Sequence, residues 1–550
     1  MRPITINGFR GANLALDEYL LPDGIGVDSQ NQRPGHSDMR PWYNPASVAD
    51  VPAGTQRLTI YRMGQDAASD ANYWLQWTTV VNAIRAYDSP DTTERTYYTG
   101  SGAPKWTDNS IGLSGGAPYP QNSRHFAMPT PTTALTAVQN VAGTGTDETD
   151  YWIYTWVNEL GWESAPSPVS NSLTIKPGAT IDLSGFDTLP GTWYGETALW
   201  GTTSNWKVRL YKTGTGTSGA TSFFFFREWA YGSTPGNPID DARARGSDVL
   251  PSIGWLPLPS DSTGLTKLWN GMLAAITGKA VRICEPYKVY TYPLKYEIAI
   301  PDAPVALAVW GQSFLILTGG DPYLVQGSTP SAMDSQPMKI YQPCSSARGV
   351  VEFDNGVAWP SPNGLWWYGA GGSRNLLEGI LDREQWQALV PSTIIASRYL
   401  GYYIGFYNDG SLKGFVLDPA NPAGIYWLST GYNAIHRDPL QDKLYVLGGT
   451  NIKLWNNSAS GSMTASFTSK RLRQPAPISI GAVEVIAKGY PVTLYLYADG
   501  SLWHTQSVTD DTPIRPPSGK EAHSWQAKVS SSSRVISVRM AMSVDDLKAT

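Results

Sequence analysis

Apolar residues recur along the middle of this chain in a steady rhythm. The blocks Leu268–Gly278, Leu307–Gly319, Val350–Trp359, Ser397–Tyr407 and His436–Gly448 each read as an apolar strand, a polar or glycine turn, and a second apolar strand. Several continue into a third strand that ends in an aromatic residue. The blocks follow one another at roughly 40 residues, the length of a four-stranded propeller blade. The rhythm predicts an all-β protein organised around a β-propeller over residues 251–460.

The flanking segments extend this plan. Residues 56–125 hold the short strand candidates Arg57–Arg62, Tyr73–Trp77, Val80–Tyr87, Thr96–Thr99 and Lys105–Thr107. They read as a further blade, because N-terminal strands that join the last blade of a ring remove its exposed edges. Residues 126–250 then read as an inserted β-sandwich of the fibronectin type III kind. Its strongest strand, Tyr151–Asn158, is apolar on both faces, and the prolines of Glu159–Pro168 bar central-strand pairing. Residues 461–550 alternate at period two through Ala482–Ile486, Val492–Tyr497 and Val535–Met540, with a hairpin turn at Ala498–Ser501. They predict a small C-terminal β-sandwich. The opening residues 1–55 are extended and turn-rich (Asn7-Gly8, Pro22-Asp23-Gly24, Pro34-Gly35) and carry no core of their own. Such a segment must lie on the rest of the fold or on a neighbouring copy. One short helix is expected near Gly379–Leu389, from Leu381, Trp386 and Leu389.

Composition supports strands: there are 22 Trp and 30 Tyr among 550 residues. The net charge is −5, and no run of Lys and Arg marks a phosphate-gripping stripe. Cys284 and Cys344 are too few for a disulfide scaffold and read as buried free thiols. His36, His125, His436, His504 and His523 are scattered without metal-ligand spacing. His436, beside Arg437 and Asp438, reads as a solvated residue at a blade turn. Neither a nucleophile elbow nor a phosphate-binding loop is present. The Ser361–Trp367 stretch mimics a sialidase-type turn but carries Asn363 where that turn has Asp, and it reads as a plain hairpin. Glycosidase chemistry needs two carboxylates flanking the bond, and no acidic pair stands in such a signature. The glycines of Leu317–Gly320 and Leu447–Gly449 read as tight turns. Trp42-Tyr43, Trp193-Tyr194 and Tyr426-Trp427 read as partly buried aromatics, with subunit anchors or sugar platforms as the functional option. No catalytic, cofactor-binding or metal-ligating residue is assigned, and no enzyme is expected. No basic start leads into an apolar run and no stretch has transmembrane length, so a soluble product made in a cytoplasm is expected, without membrane insertion.

Several motifs, taken in order, resemble the tail nozzle (tail tubular or hub-like) proteins of short-tailed bacteriophages. They are Leu20-Leu21-Pro22-Asp23-Gly24 with Gln30–Gly35 and Met39-Arg40-Pro41; Ile60-Tyr61-Arg62 with Trp74, Trp77 and Tyr97–Gly100; Tyr154–Glu159 with Gly161, Glu163-Ser164, Pro166 and Ser167; Leu317–Leu324 with Gly327; and Arg515–Gly519 with Trp525 and Ala541–Leu547. The usual Arg-Leu-Pro of the closing sandwich stands here as Arg515-Pro516-Pro517. The resemblance spans nearly the whole chain. It implies a virion protein assembled in the host cytoplasm as a homo-oligomeric ring of six copies, extending the DNA-exit channel below the head-to-tail adaptor. Its partners would be that adaptor, tail fibre or spike proteins, and genomic DNA passing through a polar, net negative lumen without specific binding. The competing expectations are a carbohydrate-binding or glycan-degrading propeller protein acting on the host surface, and a propeller scaffold for cellular partners.

Overall fold

The computed structural model describes residues 3–64, 69–87, 92–215, 221–233, 239–240 and 246–548. The start Met1-Arg2 and parts of the 126–250 segment lie outside these. The described chain is almost entirely β-structure. Four of the five rhythmic blocks supply two neighbouring strands of a four-stranded sheet, or of the four-strand run at one end of a larger one, and the Leu268–Gly278 block supplies one. That one is Leu273–Thr277, paired with Thr263–Lys267 on one side and Ala280–Ile283 on the other.

The chain divides into two compact units, one formed by residues 1–79, 308–325 and 336–550, the other by 80–307 and 326–335. In the first unit, the leading strands of successive sheets lie side by side: Val351–Phe353 against Ile395–Tyr399, that against Ala434–Asp438, and that against Thr59–Arg62. Alternation within each strand feeds two different cores. Tyr403 and Tyr407 pack towards Val351, Phe353 and Trp367, while Ile404 and Phe406 pack the other way, towards Leu444, Val446 and Trp455. One sheet further on, the strand that carries Leu444 and Val446 turns Tyr445 and Leu447 towards Ile60 and Trp74. Sheets stacked in this way bury both faces of their second strands, Gly356–Ser361, Tyr402–Asn408 and Lys443–Gly448, which is why those strands read as near-continuous apolar runs.

The N-terminal segment has no sheet of its own and completes three others. Its strands are β1 (Ile4–Ile6), β2 (Gly26–Gln30) and β3 (Ala46–Asp50). β1 pairs with Val535–Ala541 in the C-terminal sandwich. β3 pairs with Asn451–Leu454 as the outer strand of the Ala434–Leu454 meander. β2 lies between Ala465–Ser469, antiparallel, and Tyr426–Leu428, where Gln30 is paired parallel with Trp427. It thereby merges the 395–428 meander and the C-terminal sheet into one ten-stranded sheet. The C-terminal sandwich closes over Val483, Val485, Val492, Leu494, Leu496, Trp525, Val538 and Met540, with Phe9 and Met39 of the N-terminal segment inside the same core. The expected short helix is α1 (Arg383–Ala388), started by a capping box in which Asp382 and Gln385 satisfy each other's backbone N–H groups.

In the second unit, Asn82–Arg85, Thr96–Thr99, Lys105–Thr107 and Arg124–His125 form one antiparallel four-stranded sheet, and Thr263–Ala299 forms another. Between them in sequence, two three-stranded sheets form around Thr180–Ser184 and Lys207–Thr215. Trp152–Val157 is buried on both faces. The proline-rich stretch after it joins no ladder. Instead Ser164, Ser167 and Ser170 donate their N–H groups to the carbonyls of Trp156, Tyr154 and Trp152, and their hydroxyls accept from the same three residues' N–H groups. Hydroxyls at this three-residue spacing replace the donors and acceptors that Pro166 and Pro168 cannot align.

Candidate functional site

The residues that could carry chemistry are scattered, and their environments differ from what their neighbours in sequence suggest. His436 is no solvated turn residue: it lies within the strand Ala434–Asp438, its ring packed between Tyr61 and Trp74. It accepts the backbone N–H of Arg62 at 3.3 Å, and burial pulls its pKa down to about 4, against the raising influence of Asp438. Arg62 beside it is inside the protein, its side chain 0% exposed and paired with Asp438 at 3.2 Å, itself 4% exposed, and with Asp70 at 3.5 Å. Lys443 holds Asp70 from the outside at 2.8 Å. This network ties Thr59–Arg62 to the 434–454 meander, and its charges are used up in pairing.

In the other unit His125 is buried against Trp200 and Tyr194, and burial again lowers its pKa to about 4. Glu163 is buried and accepts from Thr155, Tyr211 and Arg209 at 2.7, 2.5 and 3.0 Å. Cys284 and Cys344 are buried free thiols, both pushed up to about 12 by burial. The Pro362-Asn363 pair turns a hairpin between Gly356–Ser361 and Gly364–Gly369, with Trp367 in the core. Among the described residues no group of three His, Cys, Asp or Glu side chains stands together as a metal site, and no helix is long and apolar enough to cross a membrane.

What does form a surface with recognisable chemistry is the seam made by β2. Asp28 and Gln30 lie on β2 at period two and so share a face. They line a cleft of about 240 Å³ with Tyr407, Lys413, Trp427, Leu428 and Ser429. Burial raises the pKa of Asp28, while Lys528 opposes the shift. Of the two adjacent aromatics, Tyr426 faces the core and Trp427 faces this cleft. The backbone here is rigidly set by Asn31, which sits in the left-handed region at φ 55. Its side chain donates to Ser429 Oγ and Thr464 O at 3.1 and 3.0 Å and accepts from Ser429 N at 3.0 Å. An aromatic ring, a carboxylate and an amide in one cleft suit a polar ligand with an apolar face, such as a sugar ring. Asp28 is the one carboxylate lining it, whereas glycoside hydrolysis takes two.

The same segment also presents an exposed apolar loop. Leu16, Tyr19 and Leu20 are exposed, Leu20 to 72%. The loop is held in place: Asn13 Oδ1 accepts from Ala15 and Leu16 N–H at 3.1 Å each, and its amide donates to Gly379 O at 2.6 Å. Arg471 pairs with Glu18 at 2.7 Å and lies over the Tyr19 ring. Anchored loops that show leucines to solvent mark contacts with another protein more often than scattered single exposures do. In sequence the Leu14, Leu16, Tyr19, Leu20 and Leu21 group reads as one helical turn or a docking strand; the structure has neither there, burying Leu21 and leaving the other four exposed.

No family model matches the chain, and no curated protein matches it. Among solved structures it is similar to the extracellular domain of a hybrid two component system from B. thetaiotaomicron (TM-score 0.26, 10% identity, 85% of this chain and 47% of that one). It is also similar to PorZ, a surface component of the type-IX secretion system of Porphyromonas gingivalis (TM-score 0.25, 11% identity, 81% of this chain and 62% of that one). A third is the N-terminal domain of Nup159 (TM-score 0.23, 11% identity, 48% of this chain and 88% of that one). The chain spans about half the length of the first of these.

Proposed function

We propose that this chain is a structural virion protein, the subunit of a six-copy tail nozzle ring in a short-tailed phage. In this reading the four-stranded meanders are blades of a β-propeller, and the sheets between residues 136 and 240 are an inserted fibronectin-III-like sandwich. The observation that supports a positioning role is the N-terminal segment. Within 50 residues it gives one strand to each of three sheets, and β2 makes a meander and the C-terminal sandwich into one continuous sheet. A body stitched in this way resists bending between its parts, as a subunit that holds neighbours at fixed angles must. The anchored loop with Leu16, Tyr19 and Leu20 is the proposed contact between copies, and the adaptor, fibre or spike proteins and passing DNA are the proposed partners. Negative-stain imaging of the purified chain with the portal-proximal tail proteins tests this: six-fold rings are expected, and isolated single particles in every mixture overturn it.

A second reading rests on the Trp427 cleft, which supports binding of a carbohydrate, without cleavage, at a host surface. A glycan array with the intact chain and with Trp427→Ala decides it. Saturable binding lost in the variant supports this reading, and a blank array retires it.

A further inference from the structure

Basic residues that are far apart in sequence converge at one place in the first unit. After β2 the chain doubles back: Gln32 is bridged to Pro41, and Arg33 N–H donates to Arg40 O at 2.7 Å. This sets Arg33 and Arg40 side by side. Met39, fully buried, exchanges backbone hydrogen bonds with Val535 at 2.9 and 3.1 Å and so brings Arg40 beside Arg534. Lys488 N–H donates to Arg534 O at 2.8 Å, which adds a fourth cation. Together with Pro41, Tyr43, Ser462, Ser532 and Ser533 these four line a cavity of about 290 Å³.

The charge there is unbalanced. Asp38 is the acid in reach, and it is occupied by Arg534 at 2.5 Å and Arg40 at 3.6 Å. Arg33 and Lys488 have no ion-pair partner among the described residues. The Nε–H groups of Arg33 and Arg40 are shielded from solvent and have no acceptor among the described residues. A shielded donor on a charged group is costly unless an acceptor reaches it. His36 feels the same field: burial lowers its pKa, and the charges of Arg40, Arg33 and Arg534 lower it further, against Asp38. In a chain of net charge −5, four cations around one carboxylate are a local feature of the fold.

Arginine forks with serine and tyrosine hydroxyls match the several oxygens of a tetrahedral oxyanion better than the two of a carboxylate. The cavity has room on the order of ten water molecules, more than one oxyanion fills, so a substituted phosphate also fits. We propose that this pocket binds a phosphate-class oxyanion, either free phosphate or a phosphate group of a nucleic-acid strand. The inference stands apart from the nozzle reading, because it needs neither a ring nor a channel.

The test is calorimetric titration of the full chain, at constant ionic strength, with inorganic phosphate, acetate, and a short single-stranded oligonucleotide with and without a 5′-phosphate. Saturable phosphate binding is expected, weakened at least about tenfold by Lys488→Gln, a change at an exposed side chain that leaves the core intact, and by Arg33→Gln. Lys528→Gln, outside the pocket, should leave it unchanged. The His36 imidazole should titrate at higher pH once phosphate is bound, because the anion offsets the three arginines. Oligonucleotide binding that requires the 5′-phosphate or exceeds that of phosphate identifies nucleic acid as the source, and phosphate binding alone identifies the free ion. The proposal is overturned by absent saturable phosphate binding, by acetate binding as tightly as phosphate, or by unchanged affinity in both pocket variants.

Discussion

The seam at β2 makes a prediction that can be worked through from the geometry. A side chain at Gly26 would place its Cβ 2.8 Å from the ring of buried Phe467, and closer still to the carbonyl oxygen of Thr468. The obstruction is partly backbone, so rotamer changes cannot relieve it. Gly26→Val therefore forces β2 away from Ala465–Ser469, with which it pairs from Gly26↔Ser469 to Gln30↔Ser466. Overpacking of this kind costs about 1–3 kcal/mol, and two or so backbone hydrogen bonds lost at the seam add about 1 kcal/mol each. Local opening at the seam should then become easier by about 3–5 kcal/mol, roughly a hundred- to a thousandfold or more in exchange protection. Hydrogen exchange read by mass spectrometry on peptides covering 26–32, 426–429 and 465–469 measures this directly. Peptides from the 80–307 unit serve as the internal reference. Protection at the three seam peptides equal to that of the unmodified chain would refute the account of β2 as the strand that joins the two sheets.

The remaining predictions concern buried chemistry. Asp438→Ala should destabilise the Thr59–Arg62 and 434–454 pairing by about 3–5 kcal/mol, because Arg62 stays inside with less of its charge compensated; Lys443→Ala, at the half-exposed end, should cost less than about 1 kcal/mol, and equal losses in local hydrogen exchange would contradict the ranking. His436 and His125 have folded pKa values near 4, below the unfolded value of 6.5, so the unfolded chain takes up their protons first. Stability from each is complete above pH 6.5 and declines as pH falls from 6.5 towards 4, by on the order of 3 kcal/mol. In NMR of histidine-labelled chain, the His436 and His125 imidazoles should stay neutral at pH 5, and titration of both near 6.5 would show their burial to be wrong. Cys284 and Cys344, with thiols pushed up to about 12, should resist iodoacetamide at pH 8 until the chain is denatured; rapid native alkylation would contradict their burial.

The all-β class and the repeating sheets were legible because buried strands are apolar on both faces, and the roughly 40-residue spacing follows from four strands and their turns. Tyr403–Tyr407 shows the limit of that signal: its two faces serve two cores, which a run of apolar letters reports only as "buried". The opening segment read as extended and in need of a surface, but its three destinations were hidden. The partners of β1, β2 and β3 lie hundreds of residues away, and pairing between distant strands leaves no local trace. His436 was misread for a related reason. Charged Arg437 and Asp438 suggest solvent, yet the aromatic cover comes from Tyr61 and Trp74 on another strand pair. The absence of a basic run in sequence likewise concealed the Arg33, Arg40, Lys488 and Arg534 pocket, since two hairpin strands and two distant turns build it. The Tyr426-Trp427 pair read as partly buried aromatics with an anchor or sugar-platform option, and alternation along Tyr426–Leu428 sends Tyr426 into the core and leaves Trp427 half-buried at the cleft.

The central claim is that the chain is built to assemble with copies of itself. Mass photometry of the purified chain, alone and with the head-to-tail adaptor proposed as its partner, tests it most directly. The account predicts a population at six times the 59.9 kDa chain, lost when Leu16→Asp and Leu20→Asp are combined while hydrogen exchange at the β2 seam stays intact. A particle that remains at the mass of a single chain under every condition would contradict it.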